Sequence, residues 1–259
     1  MVFQFTDIIE GDREKLIKYI FRKQIELKRR LQFILLRSGA STVEQYLEKL
    51  ERDPQVLLDF KNSFTINVSE FFRNPERFAD LHDRILPLLR EKACDSIKAW
   101  SAGCSIGSEA YSLTMLFEKA QPNCPYEIWA TDIDEEILQK AKEGIYSELH
   151  LKNVSTPMQE RYFTPGTNGE HAIVPTLKRK VSFRKHDLLH DAINRRFDLI
   201  VCRNVIIYFA EQAKDKAISR MSAALKKGGF LWIGSTERIP RPEKHGLRYF
   251  LPFFYRKEG

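Results

Sequence analysis

The sequence predicts an α/β protein: a doubly wound, mostly parallel sheet, preceded by an all-helical N-terminal domain and interrupted by a small inserted β-subdomain. Three observations predict it. From Ser96 onward short apolar strands alternate with helical segments, the rhythm of parallel strands joined by right-handed crossovers. Before residue 92 the apolar residues recur at helical spacing. Between Ile145 and Lys180 that rhythm breaks, with Pro157, Pro165, Gly166, Gly169 and Pro175 set around short β-prone pieces. The expected division is a helical domain over 1–78, a linker helix over 79–92, and an α/β domain over 93–259 with 145–180 inserted.

Composition bounds the class. With 259 residues, 43% apolar and 30% charged, the chain has the make-up of an ordinary soluble globular protein. No run approaches ~18 uninterrupted apolar residues, so no membrane insertion is expected. The first residues, MVFQFTDIIEGDREK, carry early acids and lack a basic start with a long apolar stretch, so no secretory signal is read and the expected location is cytoplasmic. Cys94, Cys104, Cys124 and Cys202 never fall as C-x-x-C, which disfavours disulfide and zinc readings.

The N-terminal helices come first. Arg13 to Arg37 carry an apolar stripe of Leu16, Ile17, Ile20, Phe21, Leu27, Leu31, Ile34 and Leu35. The polar face holds nine basic residues against Glu14 and Glu26, a balance of +7 that equals that of the whole chain. This is either a solvated face or a docking surface for an acidic helix or a phosphate backbone. Ser38-Gly39 breaks the helix, Ser41-Thr42-x-x-Gln45 starts a second, and Asp53-Pro54 starts a third. In TINVSEFFRNPERF, Phe71 and Phe72 followed by Arg73 and Asn74-Pro75 suggest a bend that buries the rings and holds the guanidinium; Phe78 to Arg90 reads as a connecting helix.

The α/β portion opens with IKAWSAGCSIGSEAYSLTMLF: a strand, a turn of small residues with Gly103 and Gly107, and a helix from Glu109. Glycines permit positive φ and close approach of a ligand, and the helix start offers unpaired N–H groups. The following strands are read in YEIWATDID, VSFRKHDLL, FDLIVCRN, GFLWIG and a terminal YFLPFFYRK, with helices in EEILQKAKEG and EQAKDKAISRMSAALKK. Ligands of such sheets bind at the carboxyl ends of the strands. There the sequence sets the Gly103 to Glu109 turn, then Asp132, then Asp187 with Leu188, then Arg203 and Asn204 with Tyr208 close behind. Asp132 can accept ribose hydroxyls, and Asp187 beside Leu188 suits the edge and face of an adenine, so a ribonucleoside site is expected. Neither G-x-G-x-x-G nor G-x-x-x-x-G-K-[ST] is present, and Glu109 would repel a phosphate. A nucleoside bearing an ammonium and a sulfonium would welcome that carboxylate, and S-adenosylmethionine fits.

LKKGGFLWIG resembles the helix end, Gly-Gly turn and following strand of class I methyltransferases. The wider set VSEFFRNPERF, AWSAGCSIGSEAYSL, ATDIDEEIL, KEGIYS, RYF, FDLIVCRNVIIYF and LKKGGFLWIG resembles the chemotaxis receptor glutamate methyltransferases, the CheR family, over nearly the whole chain. The resemblance implies methyl transfer from S-adenosylmethionine to glutamate side chains of methyl-accepting chemotaxis receptors, giving glutamyl methyl esters and S-adenosylhomocysteine. It implies a cytoplasmic enzyme associated with membrane receptor arrays, the acidic receptor helices meeting the basic face of residues 13–37. It also makes 145–180 the family's β-subdomain. By resemblance, Asn67, Ser69 and Arg73 stand at the cofactor, with Glu109 near its amino group, Asp132 on the ribose, Asp187 and Leu188 around the adenine, and Arg203 and Asn204 lining the site. Arg73 and Tyr208 face the reacting methyl as the catalytic pair. Cys104 is expected to pack within the turn.

Two other readings compete with this one. A nucleic-acid methyltransferase of the amino-group type carries an Asn/Asp-Pro-Pro-aromatic turn after the fourth strand, where this chain has Arg203-Asn204-Val205-Ile206, so no nucleic-acid partner is expected. A non-catalytic S-adenosylmethionine sensor has no need of Arg73 and Tyr208. His186-x-x-x-His190 has metal-like spacing but spans the end of a strand; solvent-facing histidines and no metal are expected.

Overall fold

In the computed structural model, which describes residues 42–53, 56, 69–92, 96–120, 124–167 and 169–259, the chain divides into two units, Met1–Val68 and Ser69–Gly259. In the first unit, helix α1 (Val43–Arg52) begins where the sequence signal lies. Thr42 is extended, and its hydroxyl accepts the Gln45 N–H at 3.3 Å. Tyr46, Leu47 and Leu50 form its buried stripe. Asp53 closes the helix and caps the next turn, its Oδ1 accepting the Val56 N–H at 3.4 Å. The basic segment of residues 13–37 and Asn67 lie outside the described residues.

The second unit holds a seven-stranded sheet in the order β6 (Val181–Lys185), β2 (Tyr126–Asp132), β1 (Ile97–Ala102), β7 (Phe197–Cys202), β8 (Leu225–Ile233), β10 (Phe254–Lys257), β9 (Leu247–Leu251). Its parallel strands are β1, β2, β6, β7 and β8. The chain runs outward through β1, β2 and β6, then returns to the middle at β7 and proceeds the other way. The order therefore reverses between β1 and β7, paired with Trp100 opposite Ile200. Both faces are covered, which is why these strands read as continuous apolar runs. Ile97, Ala99, Leu199, Val201, Phe230 and Trp232 pack on one face. Trp100, Ala102, Ile200, Cys202, Leu231 and Ile233 alternate onto the other.

Helices α4 (Ser108–Ala120), α5 (Glu135–Glu143) and α8 (Glu211–Ala224) form the main crossovers. Asp134 caps α5 by accepting the Glu136 and Ile137 N–H groups, and Gly144 ends it at φ 61°. The region 145–180 contains a separate antiparallel sheet, β3 (Ile145–Ser147), β5 (Glu170–Ile173) and β4 (Phe163–Pro165), with short helices α6 (Thr156–Tyr162) and α7 (Pro175–Lys178). Among the described residues no helix is long and apolar enough to cross a membrane.

Four local expectations change. The connecting helix starts at Pro75, not Phe78, and runs as α2 (Pro75–Asp80), a π turn (Leu81–Ile85) and α3 (Leu86–Lys92). Pro87 has no N–H for the Asp83 carbonyl, and the wider Leu86 N–H to Leu81 O bond leads into that gap. The segment LKKGG is no helix end: α8 stops at Ala224, and Leu225 already pairs with Phe197 as the start of β8. Four residues then bulge before Leu199 meets Phe230, with Gly228 at φ 73° and a Gly229 whose Cβ would lie 2.8 Å from the Asp198 carbonyl. The terminal strand is a hairpin, β9 (Leu247–Leu251) and β10 (Phe254–Lys257), because Pro252 offers no donor and Phe253 turns at φ 72°. Finally, β6 ends at Lys185, so Asp187 lies in the loop beyond it.

Candidate active site

The carboxyl ends of β1 and β7 sit side by side where the strand order reverses, and the candidate residues gather there. The turn after β1 is tied to β2: the N–H groups of Gly103 and Cys104 each donate to the Thr131 carbonyl at 2.8 Å. Ser105, at φ 50°, turns its N–H onto Asp132 Oδ2 at 2.9 Å, while the Asp134 N–H meets Oδ1 at 3.1 Å. Asp132 thus stands at the end of β2 with one donor on each oxygen and a second lone pair on each to spare. Burial pushes its carboxyl up, and those two N–H groups oppose the shift.

Glu109 lies in the first turn of α4, where the helix dipole favours an anion. Its Oε1 accepts the Ser101 hydroxyl at 2.8 Å, and Oε2 faces Arg203 Nη1 at 3.4 Å. Burial raises its pKa, with the charges of Arg203 and Arg73 and the Ser101 hydrogen bond acting the other way. Arg203, immediately after β7, is almost fully enclosed, its side chain 3% exposed. Its Nη2 donates to the Arg73 carbonyl at 2.8 Å and to Asn74 Oδ1 at 2.6 Å, and its guanidinium stacks 4.5 Å from the Trp232 ring centroid. Its Nε is buried without a partner among the described residues.

The segment carrying Arg73 is pinned on both sides. The Phe71 N–H donates to the His150 carbonyl at 3.0 Å, and its ring meets Tyr146 and Phe163 edge-on at 4.7 and 5.2 Å. The Phe72 N–H donates to Ser112 Oγ at 2.9 Å. Ser69 Oγ is hydrogen bonded to Ser108 Oγ at the start of α4. Phe72 and Asn74 take left-handed φ values of 50° and 62°, so the backbone doubles back between two anchored rings. The Phe pair is buried, and the partner of the local guanidinium network is Arg203.

Beyond Arg203, Asn204 turns at φ 58°, and Tyr208 ends the 3₁₀ turn Ile206–Tyr208, its N–H on the Val205 carbonyl at 3.3 Å. On the other side, the His186 N–H donates to the Asp132 carbonyl at 3.0 Å and brings the Asp187 loop beside β2. Asp187 Oδ1 accepts the Leu189 N–H at 2.7 Å, and Oδ2 meets His190 Nδ1 at 2.8 Å. Partial burial pushes the Asp187 carboxyl up, but these hydrogen bonds prevail and hold it below the usual carboxylate range. Leu188 is 8% exposed.

The solvent-facing reading of the histidine pair fails for His186. That side chain is 5% exposed and packs edge-on against Trp100 and Trp129 at 5.5 and 5.2 Å, and burial lowers its pKa. His190 is exposed. The loop bends at His186, so its ring falls on the sheet while His190 turns outward. Gly103 also has a different reason for being glycine than ligand clearance: at φ 80° a Cβ there would collide with Val205. Cys104 is packed, 1% exposed, and burial pushes its thiol up.

Two connected groups therefore emerge. Ser69, Arg73, Glu109 and Arg203 form one; Gly103, Asp132, Asp187 and Leu188 form the other, joined through Ser105 and His186. Asn204 and Tyr208 share the loop of Arg203. Sequence reasoning missed Asn74 and Trp232, whose partner Arg203 arrives from a distant element, Ser101, whose partner Glu109 lies across the turn after β1, and Glu237, an acid just past the end of β8 that the strand-end rule applied to Asp132 would have found.

The family described as "CheR methyltransferase, SAM binding domain" matches residues 67–249. The chain belongs to the CheR methyltransferase family. It is 36% identical over 254 residues to the "Chemotaxis protein methyltransferase" of Listeria monocytogenes, covering 98% of this chain and 95% of that one. Against the protein of the same name from Borreliella burgdorferi the identity is 32% over 272 residues, covering 97% and 95%. The "Chemotaxis protein methyltransferase 1" of Pseudomonas aeruginosa is 31% identical over 233 residues, covering 86% and 85%. The CheR domain binds S-adenosylmethionine, and the residues present fit that group. Asp132 and Glu109 keep acceptor capacity for hydroxyls and an ammonium, Leu188 supplies an apolar surface, and the Arg203 Nε has a donor left over.

Proposed function

We propose that this chain esterifies glutamate side chains of methyl-accepting chemotaxis receptors, using S-adenosylmethionine as methyl donor. The observation that carries the reading is the connected group of Ser69, Arg73, Glu109 and Arg203 in a CheR chain: two guanidinium cations beside a largely enclosed acid at the strand ends. In this reading Glu109 holds the ammonium and Asp132 the ribose hydroxyls. Asp187 and Leu188 take the edge and face of the adenine. Gly103, Ser69, Asn204 and, by resemblance, Asn67 complete the cofactor contacts. S-adenosylmethionine supplies an electrophilic methyl on a sulfonium.

The acceptor glutamate has a reference pKa of ~4.3, so it arrives ionised and needs no general base. The work of the protein is to orient that carboxylate and strip its water. Arg73 offers a planar donor fork, and Tyr208 a hydroxyl, to fix one oxygen. Arg203 acts beside them: its Nη1 and Nη2 are committed to Glu109, Asn74 and the Arg73 carbonyl, which ties the Arg73 backbone in place.

The test is to incubate the protein with methyl-labelled S-adenosylmethionine and receptor-containing membranes, then expose the product to mild alkali. Alkali-labile label on the receptor supports glutamate esterification. Alkali-stable label, or cofactor binding with no label transferred, overturns it.

A further inference from the structure

We infer that Glu237 is a positioning residue for methyl transfer: its buried carboxylate shapes the loop that carries Arg203, Asn204 and Tyr208. Four backbone N–H groups converge on it. Oε1 accepts Val205 and Ile207 at 3.1 and 3.2 Å; Oε2 accepts Asn204 at 3.1 Å and Gly234 at 2.5 Å. Glu237 is 4% exposed. The three loop donors span the residue that turns at positive φ and the start of the 3₁₀ turn that ends in Tyr208, so the loop backbone is wound around this one anion.

The carboxylate is required by hydrogen-bond inventory. Each oxygen receives two N–H donors, so an amide in either orientation sets an NH₂ against two more donors. Arg203, between the end of β7 and this loop, reaches Glu109 and the Arg73 carbonyl, and Tyr208 lies three residues beyond Val205. Glu237 itself forms no hydrogen bond with the side chains of Glu109, Asp132 or Asp187 among the described residues. Of the proposed cofactor contacts Asn204 alone rides on this loop, so the influence of Glu237 falls mainly on the acceptor side of the reaction, through Tyr208 and the neighbouring Arg203.

The inference rests on the proposed roles of Arg73 and Tyr208, and the experiment separates the two. Glu237→Gln keeps volume and removes the double acceptor. Its S-adenosylhomocysteine affinity, read by calorimetry, is expected to stay within about threefold of wild type, while kcat for receptor methylation falls at least about tenfold. Combined with Tyr208→Phe, the losses are expected to be non-additive, since both act through one loop. Loss of S-adenosylhomocysteine affinity in parallel with kcat, unchanged kcat, or, where Tyr208→Phe itself lowers kcat, additive losses would overturn the inference. If Tyr208→Phe alone is silent, the role of Tyr208 falls, while a kcat-selective loss in Glu237→Gln still supports Glu237 through Arg203.

Should Glu237→Gln not fold, Gly234→Ala probes the same contact. Its new Cβ would sit 2.7 Å from Glu237 Oε2 and 2.8 Å from the Asn204 nitrogen, prising the carboxylate from the loop. A kcat-selective loss supports the inference and full activity overturns it.

Discussion

Arg73 and Arg203 bring the same guanidinium to one place in different circumstances, and their replacement separates chemistry from stability. Arg203 is enclosed between Trp232, Phe78 and Glu109. Arg203→Ala takes the ion pair from a largely enclosed Glu109, leaving it the Ser101 hydroxyl and the charge of Arg73, and empties the space against Trp232 and Phe78; the loss is expected to approach about 3 kcal/mol, so unfolding will mask any catalytic effect. Arg73 is only partly buried, and its tie to Arg203 runs through its backbone carbonyl, which alanine retains. Arg73→Ala is therefore expected to keep its melting temperature and lose about 10²-fold or more in turnover, the scale for removing one transition-state donor; near-normal turnover would discard its role. Tyr208→Phe should cost less, in kcat and not in cofactor affinity. Glu109 makes a pH prediction. Burial raises its pKa in the free protein, and a bound ammonium favours the ionised form, so binding releases a proton. S-adenosylhomocysteine affinity should rise with pH through that raised pKa and then level, and Glu109→Gln should flatten the curve. A slope that survives in Glu109→Gln would assign the titration to another group.

At the scale of elements, what was legible followed from periodicity and what was hidden followed from partners. The strand ends holding Gly103 and Asp132 could be read because doubly covered strands are continuous apolar runs bounded by small or polar residues. The helix start at Thr42 carried its own cap. The pairing of Leu225 with Phe197 could not be read, since LKKGG has good helix formers up to its glycines and only β7 decides otherwise. His186 looked polar and peripheral, and only the two tryptophans across from it bury it. Arg203 reads from the sequence as site lining and no more, because nothing local announces that Asn74 and Glu109 will meet it. The turn after β1 offers a test of element-level packing. Gly103→Ala adds about 1–2 kcal/mol of left-handed backbone strain and about 1–3 kcal/mol of overpacking against Val205. Denaturant unfolding should show a clear loss of stability; an unchanged midpoint would mean that the Val205 loop yields freely.

Across the whole molecule, charge is unevenly placed along the chain. Residues 13–37 hold nine basic and two acidic side chains in a protein of net charge +7. If acidic receptor helices dock there, reversing Arg29 and Arg30 to Glu should weaken receptor methylation and shrink its salt dependence, with turnover of cofactor-site variants unaffected in rank. Unchanged methylation would return that stretch to an ordinary solvated face. The three tryptophans are also unevenly placed, and to a different end. Trp100 on β1 and Trp129 on β2 pack against His186, whose N–H meets the Asp132 carbonyl, and Trp232 on β8 lies beneath Arg203. Two of the three indoles thus touch residues beside the proposed cofactor contacts: the Trp100 N–H donates to the Thr131 hydroxyl, next to Asp132, and Trp232 stacks under Arg203, the partner of Glu109. Filling that site should change the colour and intensity of its fluorescence, so the unlabelled wild-type chain is its own optical titration reagent.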